Sequence, residues 1–159
     1  MHWNSYFLNM LDQIASKSKD PNTKVGCIIV DQDHIIQSTG YNSFPRGLKD
    51  NVPERLIRPE KYSWIEHAER NAIYQAARNG KSLRNCRIYL PFFPCLDCAR
   101  GIIQSGIKEI ILNEKTYVER LKNTDTIYNT EIGKVAIMLD ECDVAISTWD
   151  LKTEKLEWL

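Results

Sequence analysis

Four residues in two short segments have the types and spacing of a metal site. His67 is followed two residues later by Glu69, and Cys95 and Cys98 form a C-x-x-C motif that begins 26 residues after Glu69. One imidazole and two thiolates make a three-ligand set for Zn²⁺ and leave the fourth tetrahedral position open for water, whereas a structural zinc site normally closes with a fourth protein ligand. The set predicts one catalytic zinc per chain, held by His67, Cys95 and Cys98.

The carboxylate of Glu69 is predicted to move protons for that water. Zinc lowers the pKa of a bound water toward ~7. A carboxylate beside it can accept the water proton, protonate a ring nitrogen next to an amino carbon, and later protonate the departing amine. The pattern H-x-E followed by P-C-x-x-C is also the signature of zinc nucleobase deaminases. Hydrolytic deamination of an amino-heterocycle, with Glu69 as catalytic residue, is therefore the predicted reaction.

Two other roles for the C-x-x-C motif are less favoured. A structural zinc site would need a fourth ligand, but His2 is predicted in an N-terminal helix and His34 in a hairpin turn. The remaining cysteines lie in segments whose residue pattern is typical of β-strands. A dithiol redox pair is a poorer explanation, because it leaves His67 and Glu69 without a role.

Helix starts are predicted to position both segments. Residues 65–79 and 95–105 have helical patterns that end at Gly80 and Gly106, respectively. The positive end of a helix stabilises thiolate, and i, i+3 spacing places Cys95 and Cys98 on one face.

The remaining pattern predicts an α/β fold with element order α-β-β-α-β-α-β-α-β. Its arrangement is a three-layer α/β/α sandwich around a mixed five-stranded sheet, in which right-handed crossovers make the later strands parallel. Residues 1–159 are expected to form one domain, and residues 148–159 an apolar C-terminal tail that packs on the domain or on a neighbouring subunit. The predicted strands cover residues 25–30, 34–41, 86–90, 109–112 and 144–147, the other helices residues 3–17 and 131–139, and a long loop residues 42–63.

The amino-acid composition indicates which classes of partner and which cellular compartment to expect. Lys plus Arg and Asp plus Glu both number 21, so the net charge is zero, which disfavours long RNA or DNA as a partner. The five cysteines are an odd number, and Cys27, Cys86 and Cys142 are expected to be reduced, as in the cytosol. No segment approaches the ~20 apolar residues of a membrane span, and residues 1–19 do not read as a signal peptide. A cytoplasmic protein is predicted.

Beyond the zinc motifs, four segments resemble the deoxycytidylate (dCMP) deaminases of the cytidine deaminase superfamily. The resemblance runs from residue 18 to residue 112 and is carried by residues 18–26 (SKDPNTKVG), 40–47 (GYNSFPRG), 67–73 (HAERNAI) and 98–103 (CARGII). It implies a cytidine deaminase-like fold, conversion of dCMP to dUMP and ammonia in pyrimidine metabolism, and a homo-oligomer of two to six chains. Residues 48–63 lack the extra cysteine and histidine ligands by which some members bind a second zinc, so one zinc per chain is implied.

The resemblance also implies substrate contacts. By position, Asn42 binds the sugar or the phosphate of the nucleotide, and Asn22 and Lys24 belong to the region that contacts the 5′-phosphate. Arg46 is a second cation suited to a phosphate monoester. Alternatively, Asn42 is an ordinary turn asparagine, and Lys24 and Arg46 are ordinary solvated surface charges.

Two aromatic residues are further candidates for the substrate site. Tyr117 lies where the family places an aromatic side chain near the nucleotide, and Trp64 could line the base pocket. A core or interface tryptophan is an equal alternative. The chain after Lys115 matches the family poorly, and this leaves the phosphate end open to dCTP or another cytosine nucleotide. Less favoured functions are a tRNA adenosine deaminase, a free-base or nucleoside deaminase, and a catalytically silent nucleotide-binding module.

Overall fold

One mixed sheet runs through the residues that the computed structural model describes, 1–122 and 126–159. Its six strands are β1 (Gly26–Val30), β2 (Ile36–Tyr41), β3 (Arg87–Leu90), β4 (Glu109–Asn113), β5 (Ala145–Asp150) and β6 (Lys155–Trp158). Their order across the sheet is β2-β1-β3-β4-β5-β6. Strand β1 pairs antiparallel with β2 and β3, while β3, β4 and β5 are parallel. The prediction that the later strands are parallel is confirmed.

Helices cover both faces of the sheet. They are α1 (Trp3–Ala15), α2 (Ala68–Arg78), α3 (Leu96–Gln104), α4 (Glu114–Lys122) and α5 (Thr126–Glu141). Helix α1 packs on one face through Phe7, Leu8 and Leu11. Helices α2, α3 and α5 contribute to a larger apolar cluster on the other face. The three-layer α/β/α architecture is therefore confirmed.

Because helices cover both faces of the sheet, the central strand β1 is apolar throughout. All five residues of β1 are buried. Because successive side chains of a strand point to opposite faces, Ile28 and Val30 pack with α1, whereas Cys27 and Ile29 pack with the α2–α3 cluster. A run of apolar residues is typical of a strand buried in this way.

The sheet has six strands rather than the five predicted, because residues 155–158 form an additional strand at its edge. Strand β5 continues to Asp150, and the chain then turns and pairs β6 antiparallel with it. The carboxylate of Asp150 stabilises the turn by accepting hydrogen bonds from the Lys152 N–H and the Thr153 hydroxyl. Leu156 packs against the α1 cluster, so part of the apolar tail covers its own chain.

Residues after β4 also differ from the prediction. Helix α4 lies in a segment for which no element was predicted, and α5 begins before the predicted residue 131. The long loop of residues 42–63 includes two short 3₁₀ helices, Pro53–Leu56 and Glu60–Ser63. In the described part of the chain, no helix combines the length and the hydropathy that crossing a membrane requires.

Candidate active site

The first turns of α2 and α3 hold the predicted metal ligands. His67 is the N-cap of α2 and Cys95 the N-cap of α3, each with extended backbone angles, and Cys98 follows in α3. The two helices pack side by side on one face of the sheet. Their N-termini, and therefore the three side chains, come together.

The three ligand atoms point at a common centre. His67 Nδ1 lies 3.4 Å from Cys95 Sγ and 3.5 Å from Cys98 Sγ. All three atoms are within 4.8 Å of one another, and no other His, Cys, Asp or Glu among the described residues joins the cluster. One imidazole nitrogen and two sulfurs are donors that suit zinc, and three protein ligands are typical of a catalytic site.

The pKa values of the two cysteine thiols shift in opposite directions. The hydrogen bond with Cys98 lowers the pKa of Cys95 to about 3, and the same bond raises the pKa of Cys98. Cys95 is therefore a thiolate at neutral pH, which is the form that binds a metal ion. Binding a metal at both sulfurs releases the proton of Cys98.

Arg70 lies beside the two sulfurs and was not singled out from the sequence. Its Nη1 donates to Cys98 Sγ at 3.5 Å and lies 3.9 Å from Cys95 Sγ. The guanidinium is held by the carboxylate of Glu66, which lies four residues earlier, just before α2. Charge-assisted donors of this kind offset the negative charge of metal-bound thiolates. The i, i+4 Glu–Arg pair is the signal that could have identified it.

Glu69 is buried beside the ligand cluster, with 5% of its surface exposed. Burial raises the pKa of its carboxyl, and the neighbouring His67 ring opposes only part of that effect. A carboxyl whose pKa is raised toward neutrality is suited to accept and return protons.

A cleft of about 440 Å³ opens onto this cluster. His67, Glu69 and Cys95 lie in its wall. The other lining residues are Asp20, Thr23, Val25, Asn42, Arg58, Lys61, Tyr62, Ile65, Ala68, Phe92, Phe93, Arg120 and Glu131. The cleft thus combines apolar, aromatic and charged groups beside one cluster of candidate metal ligands. Such a lining suits the binding of a small polar molecule that contains a flat ring.

Asn42 is the one predicted substrate contact that lines this cleft. Its Oδ1 accepts from the Val25 N–H at 2.8 Å, and its Nδ2 donates to the Thr23 carbonyl at 2.9 Å and to Asp20 Oδ2 at 3.4 Å. The side chain is therefore both a structural link and part of the cleft wall.

The predicted phosphate contacts lie outside the cleft lining. Lys24 is exposed, and Asn22, also exposed, accepts a hydrogen bond from Lys61 Nζ at 3.3 Å. The Arg46 guanidinium donates to Gln75 Oε1 across a neighbouring groove.

The two predicted aromatic contacts also lie outside the lining. The indole N–H of Trp64 donates to Glu60 Oε1 at 2.8 Å, and the Arg55 guanidinium lies 4.1 Å from the ring centroid. Tyr117 packs 6.1 Å from Phe93, between ring centroids, so that it supports a cleft residue.

Phe92, Phe93, Arg58, Lys61 and Arg120 line the cleft without having been predicted. The two phenylalanines follow the carboxyl end of β3, where ligands of parallel sheets commonly bind, and this position is a signal that the sequence offered. Arg58 and Lys61 lie in the long loop and Arg120 lies in a helix that was not predicted, so no comparable pattern pointed to these three cations.

Comparison with known proteins identifies the family. The family model of the cytidine and deoxycytidylate deaminase zinc-binding region matches residues 1–114, which contain all three predicted metal ligands and Glu69. The chain belongs to this family.

Two curated deaminases illustrate the similarity within the family. The chain is 39% identical over 122 residues to human deoxycytidylate deaminase, covering 74% of this chain and 67% of that protein. It is 41% identical over 111 residues to the probable deoxycytidylate deaminase of Caenorhabditis elegans, covering 68% of this chain and 55% of the relative.

A solved deaminase structure shares the fold. The dCMP deaminase of cyanophage S-TIM5 superposes with a TM-score of 0.67 at 22% identity, covering 91% of this chain and 95% of that chain. The cytidine deaminase-like fold implied by the sequence motifs is thereby confirmed.

Proposed function

We propose that this chain is a zinc-dependent deoxycytidylate deaminase, which converts dCMP and water into dUMP and ammonia in pyrimidine deoxyribonucleotide metabolism. The observation that carries the proposal is the convergence of His67, Cys95 and Cys98 with buried Glu69 in one cleft. The sequence similarity to human deoxycytidylate deaminase, and the solved complex of the cyanophage enzyme with dCMP and dUMP, support the choice of substrate.

His67 Nδ1 and the Cys95 and Cys98 sulfurs would hold one zinc per chain. When bound, zinc supplies a Lewis acid that acidifies water. The Arg70 guanidinium would remain beside the sulfurs and hold part of their negative charge.

Glu69 then carries the protons of the reaction. Its carboxylate accepts a proton from the attacking water and delivers it to N3 of the cytosine ring, which makes C4 electrophilic. The water oxygen forms the new C4–O bond, Glu69 passes the second proton to the amino group, and the C4–N bond breaks to release ammonia. One carboxyl with a raised pKa serves both as base and as acid.

The cleft walls can orient the base and the sugar. Phe92, Phe93 and Ile65 supply apolar surface for a flat pyrimidine. Both Nδ2 hydrogens of Asn42 are used within the protein, whereas its Oδ1 retains a second lone pair. Asn42 can therefore accept a hydrogen bond from a sugar hydroxyl but has no hydrogen left for a phosphate.

Cationic side chains in the cleft can bind the phosphate group of the nucleotide. Arg58 and Arg120 line it, and guanidinium groups suit a phosphate monoester. Asn22, Lys24 and Arg46, which lie outside the cleft lining, and the aromatic residues Trp64 and Tyr117 are further proposed contacts. Additional phosphates would extend toward solvent, so dCTP is the alternative substrate.

Zinc analysis and a substrate panel test the proposed function. The purified protein is expected to contain one zinc per chain and to turn over dCMP faster than dCTP, deoxycytidine, cytosine or tRNA adenosine, monitored by ultraviolet absorbance and ammonia release. Preference for dCTP would shift the substrate assignment. Absence of zinc, or of any turnover, would contradict the proposed function itself.

We also propose that residues 1–159 act as one domain in a cytosolic homo-oligomer. Exposed Tyr74 on α2 and exposed Ile137 on α5 offer apolar surface on the helical layer. All five cysteines are free, which suits a reducing compartment. Light scattering over a range of protein concentrations is expected to give a mass above that of the monomer.

A further inference from the structure

Asp20 and Lys61 form a buried ion pair in the wall of the active-site cleft. Only 5% of Asp20 and 4% of Lys61 is exposed. Lys61 Nζ lies 3.0 Å from Asp20 Oδ1 and 2.8 Å from Oδ2. Removing two charges from water is costly unless their geometry is good and their remaining hydrogen-bonding capacity is used. The contacts of the pair indicate what it holds in place.

The Asp20 carboxylate fixes the loop that Asn42 contacts. Its Oδ1 accepts from the N–H groups of Asn22 at 2.8 Å and Thr23 at 3.2 Å, and its Oδ2 accepts from Asn42 Nδ2 at 3.4 Å. The Thr23 carbonyl accepts from the same Nδ2. Asp20 therefore acts on the Asn42 amide directly and through Thr23.

Lys61 fixes the opposite part of the wall. Its carbonyl accepts from the N–H groups of Trp64 at 3.1 Å and Ile65 at 2.9 Å, in the segment that leads to the metal ligand His67. Ile65 itself lines the cleft. The ion pair thus connects the loop that holds Asn42 to the segment that enters α2.

We propose that Asp20 and Lys61 are positioning residues for the nucleotide, which set the Asn42 amide oxygen at a fixed place relative to the metal ligands. This inference rests on the proposed function, because it assigns Asn42 to the nucleotide sugar. Neither residue belongs to the metal-ligand cluster. Their effect is therefore expected on substrate binding rather than on the chemical step.

Asp20→Asn tests the inference most directly. We expect KM for dCMP to rise about tenfold or more while kcat and zinc content change little, since a displaced contact weakens binding without removing a reacting group. Asp50→Asn is the matched control. The Asp50 carboxylate forms an exposed ion pair with Lys19 Nζ at 2.8 Å and lies outside the cleft lining, so this substitution should leave KM unchanged.

Coupling to Asn42 separates positioning from a general structural effect. We expect Asn42→Ala to raise KM, and Asp20→Asn to add little further in that background, because the residue being positioned is gone. A wild-type KM in Asp20→Asn, or effects that multiply in the double variant, would overturn the inference.

A variant that lacks both charges separates a loss of positioning from a loss of stability. Asp20→Asn combined with Lys61→Met leaves no buried charge unpaired. It is expected to melt closer to the wild type than Lys61→Met alone and yet to keep the raised KM. A wild-type KM in this variant would contradict positioning. Failure of the wild type on dCMP would instead contradict the proposed function, and the same comparison would then use the panel substrate that is turned over.

Discussion

At the scale of single residues, the candidate chemistry depends on where two helices begin. His67 and Cys95 are N-caps, so each leaves an extended segment with its side chain directed toward the same point. Glu69 and Arg70 follow in the first turn of α2. Glu69 is buried beside the ligands, whereas Arg70 reaches both sulfurs. The groups proposed for metal ligation, proton transfer and charge compensation thus lie at a few adjacent positions.

Glu69→Gln separates metal binding from proton transfer. The amide is nearly isosteric but does not take up a proton, so we expect kcat for dCMP to fall by about 10²–10⁴-fold. Zinc content should stay at one per chain, because Glu69 is outside the ligand cluster. Steady-state kinetics with metal analysis of the same preparation checks both expectations, and an active Glu69→Gln enzyme would rule out the proposed proton carrier.

Arg70→Gln should weaken zinc binding. Loss of the cation beside Cys95 and Cys98 removes the charge-assisted donor, and partners of metal ligands typically contribute about 10–100-fold in affinity. Competition with a chromogenic chelator measures the change. Arg100→Gln is the control, because Arg100 pairs with Asp97 on the exposed side of α3 and has no contact with the sulfurs. Equal affinities in the two variants would show that Arg70 has no such role.

At the scale of elements, the close packing of β2 against α2 explains one of the family motifs. A Cβ placed on Gly40 would lie 2.1 Å from the Ala68 carbonyl oxygen and 2.6 Å from the Ala72 nitrogen. Two residues later the same strand leads into Asn42, and Ala68 directly follows His67. The absence of a side chain at Gly40 therefore sets the separation between Asn42, the proposed substrate contact, and His67, the proposed metal ligand.

Gly40→Ala is expected to destabilise the protein. The new methyl group must push backbone against backbone, and overpacking of this kind typically costs about 1–3 kcal/mol. Gly133→Ala provides the comparison, because its Cβ meets nothing within 4 Å and the residue lies inside α5. Chemical denaturation should show a lower unfolding free energy for the first variant. The second should be stabilised by about 0.5–1 kcal/mol through helix propensity.

At the scale of the whole molecule, segments distant in the chain are joined at one cleft. Its walls come from the loop before β1, the end of β2, the segment before α2, the turn after β3, and helices α4 and α5. The proposed metal site and the buried Asp20–Lys61 pair both connect such segments. The stability of the fold should therefore depend on each of them.

Zinc removal is expected to lower the melting temperature. A ligand that binds only the folded chain stabilises it in proportion to the logarithm of its concentration over its dissociation constant. Chelator treatment followed by a thermal scan should lower Tm, and restored zinc should return it. Cys98→Ser should lose this response. Cys142→Ser should keep it, because Cys142 is outside the cluster. A response unchanged in Cys98→Ser would contradict the ligand assignment.

The Asp20–Lys61 pair should make stability sensitive to acid. Burial alone raises the pKa of Asp20, but hydrogen bonds from Lys61 and from the Asn22 and Thr23 backbone outweigh it, and the net pKa lies below 3.8. A carboxyl with a depressed folded-state pKa contributes its stability above the unfolded value, and this contribution disappears as pH falls through the folded value.

The stability difference between wild type and Asp20→Asn should therefore be largest at neutral pH and shrink below about pH 3.8. Urea titrations at several pH values measure it, with Asp50→Asn as the exposed counterpart. A difference that stays constant down to acid would show that the charge of Asp20 is not what the variant removes.

Local sequence patterns determined the helix starts and the layered architecture, and they predicted that His67, Cys95 and Cys98 come together beside Glu69. Each depends on short spacings, such as two residues from His67 to Glu69, or on periodicities that the backbone imposes within one element. The three-dimensional structure decided what those patterns could not: the sixth strand, the lining by Arg58 and Arg120, and the position of Trp64 outside the cleft. Asp20 and Lys61 are 41 residues apart in sequence, and their pairing exists because the packed chain brings two loops together and excludes water from both.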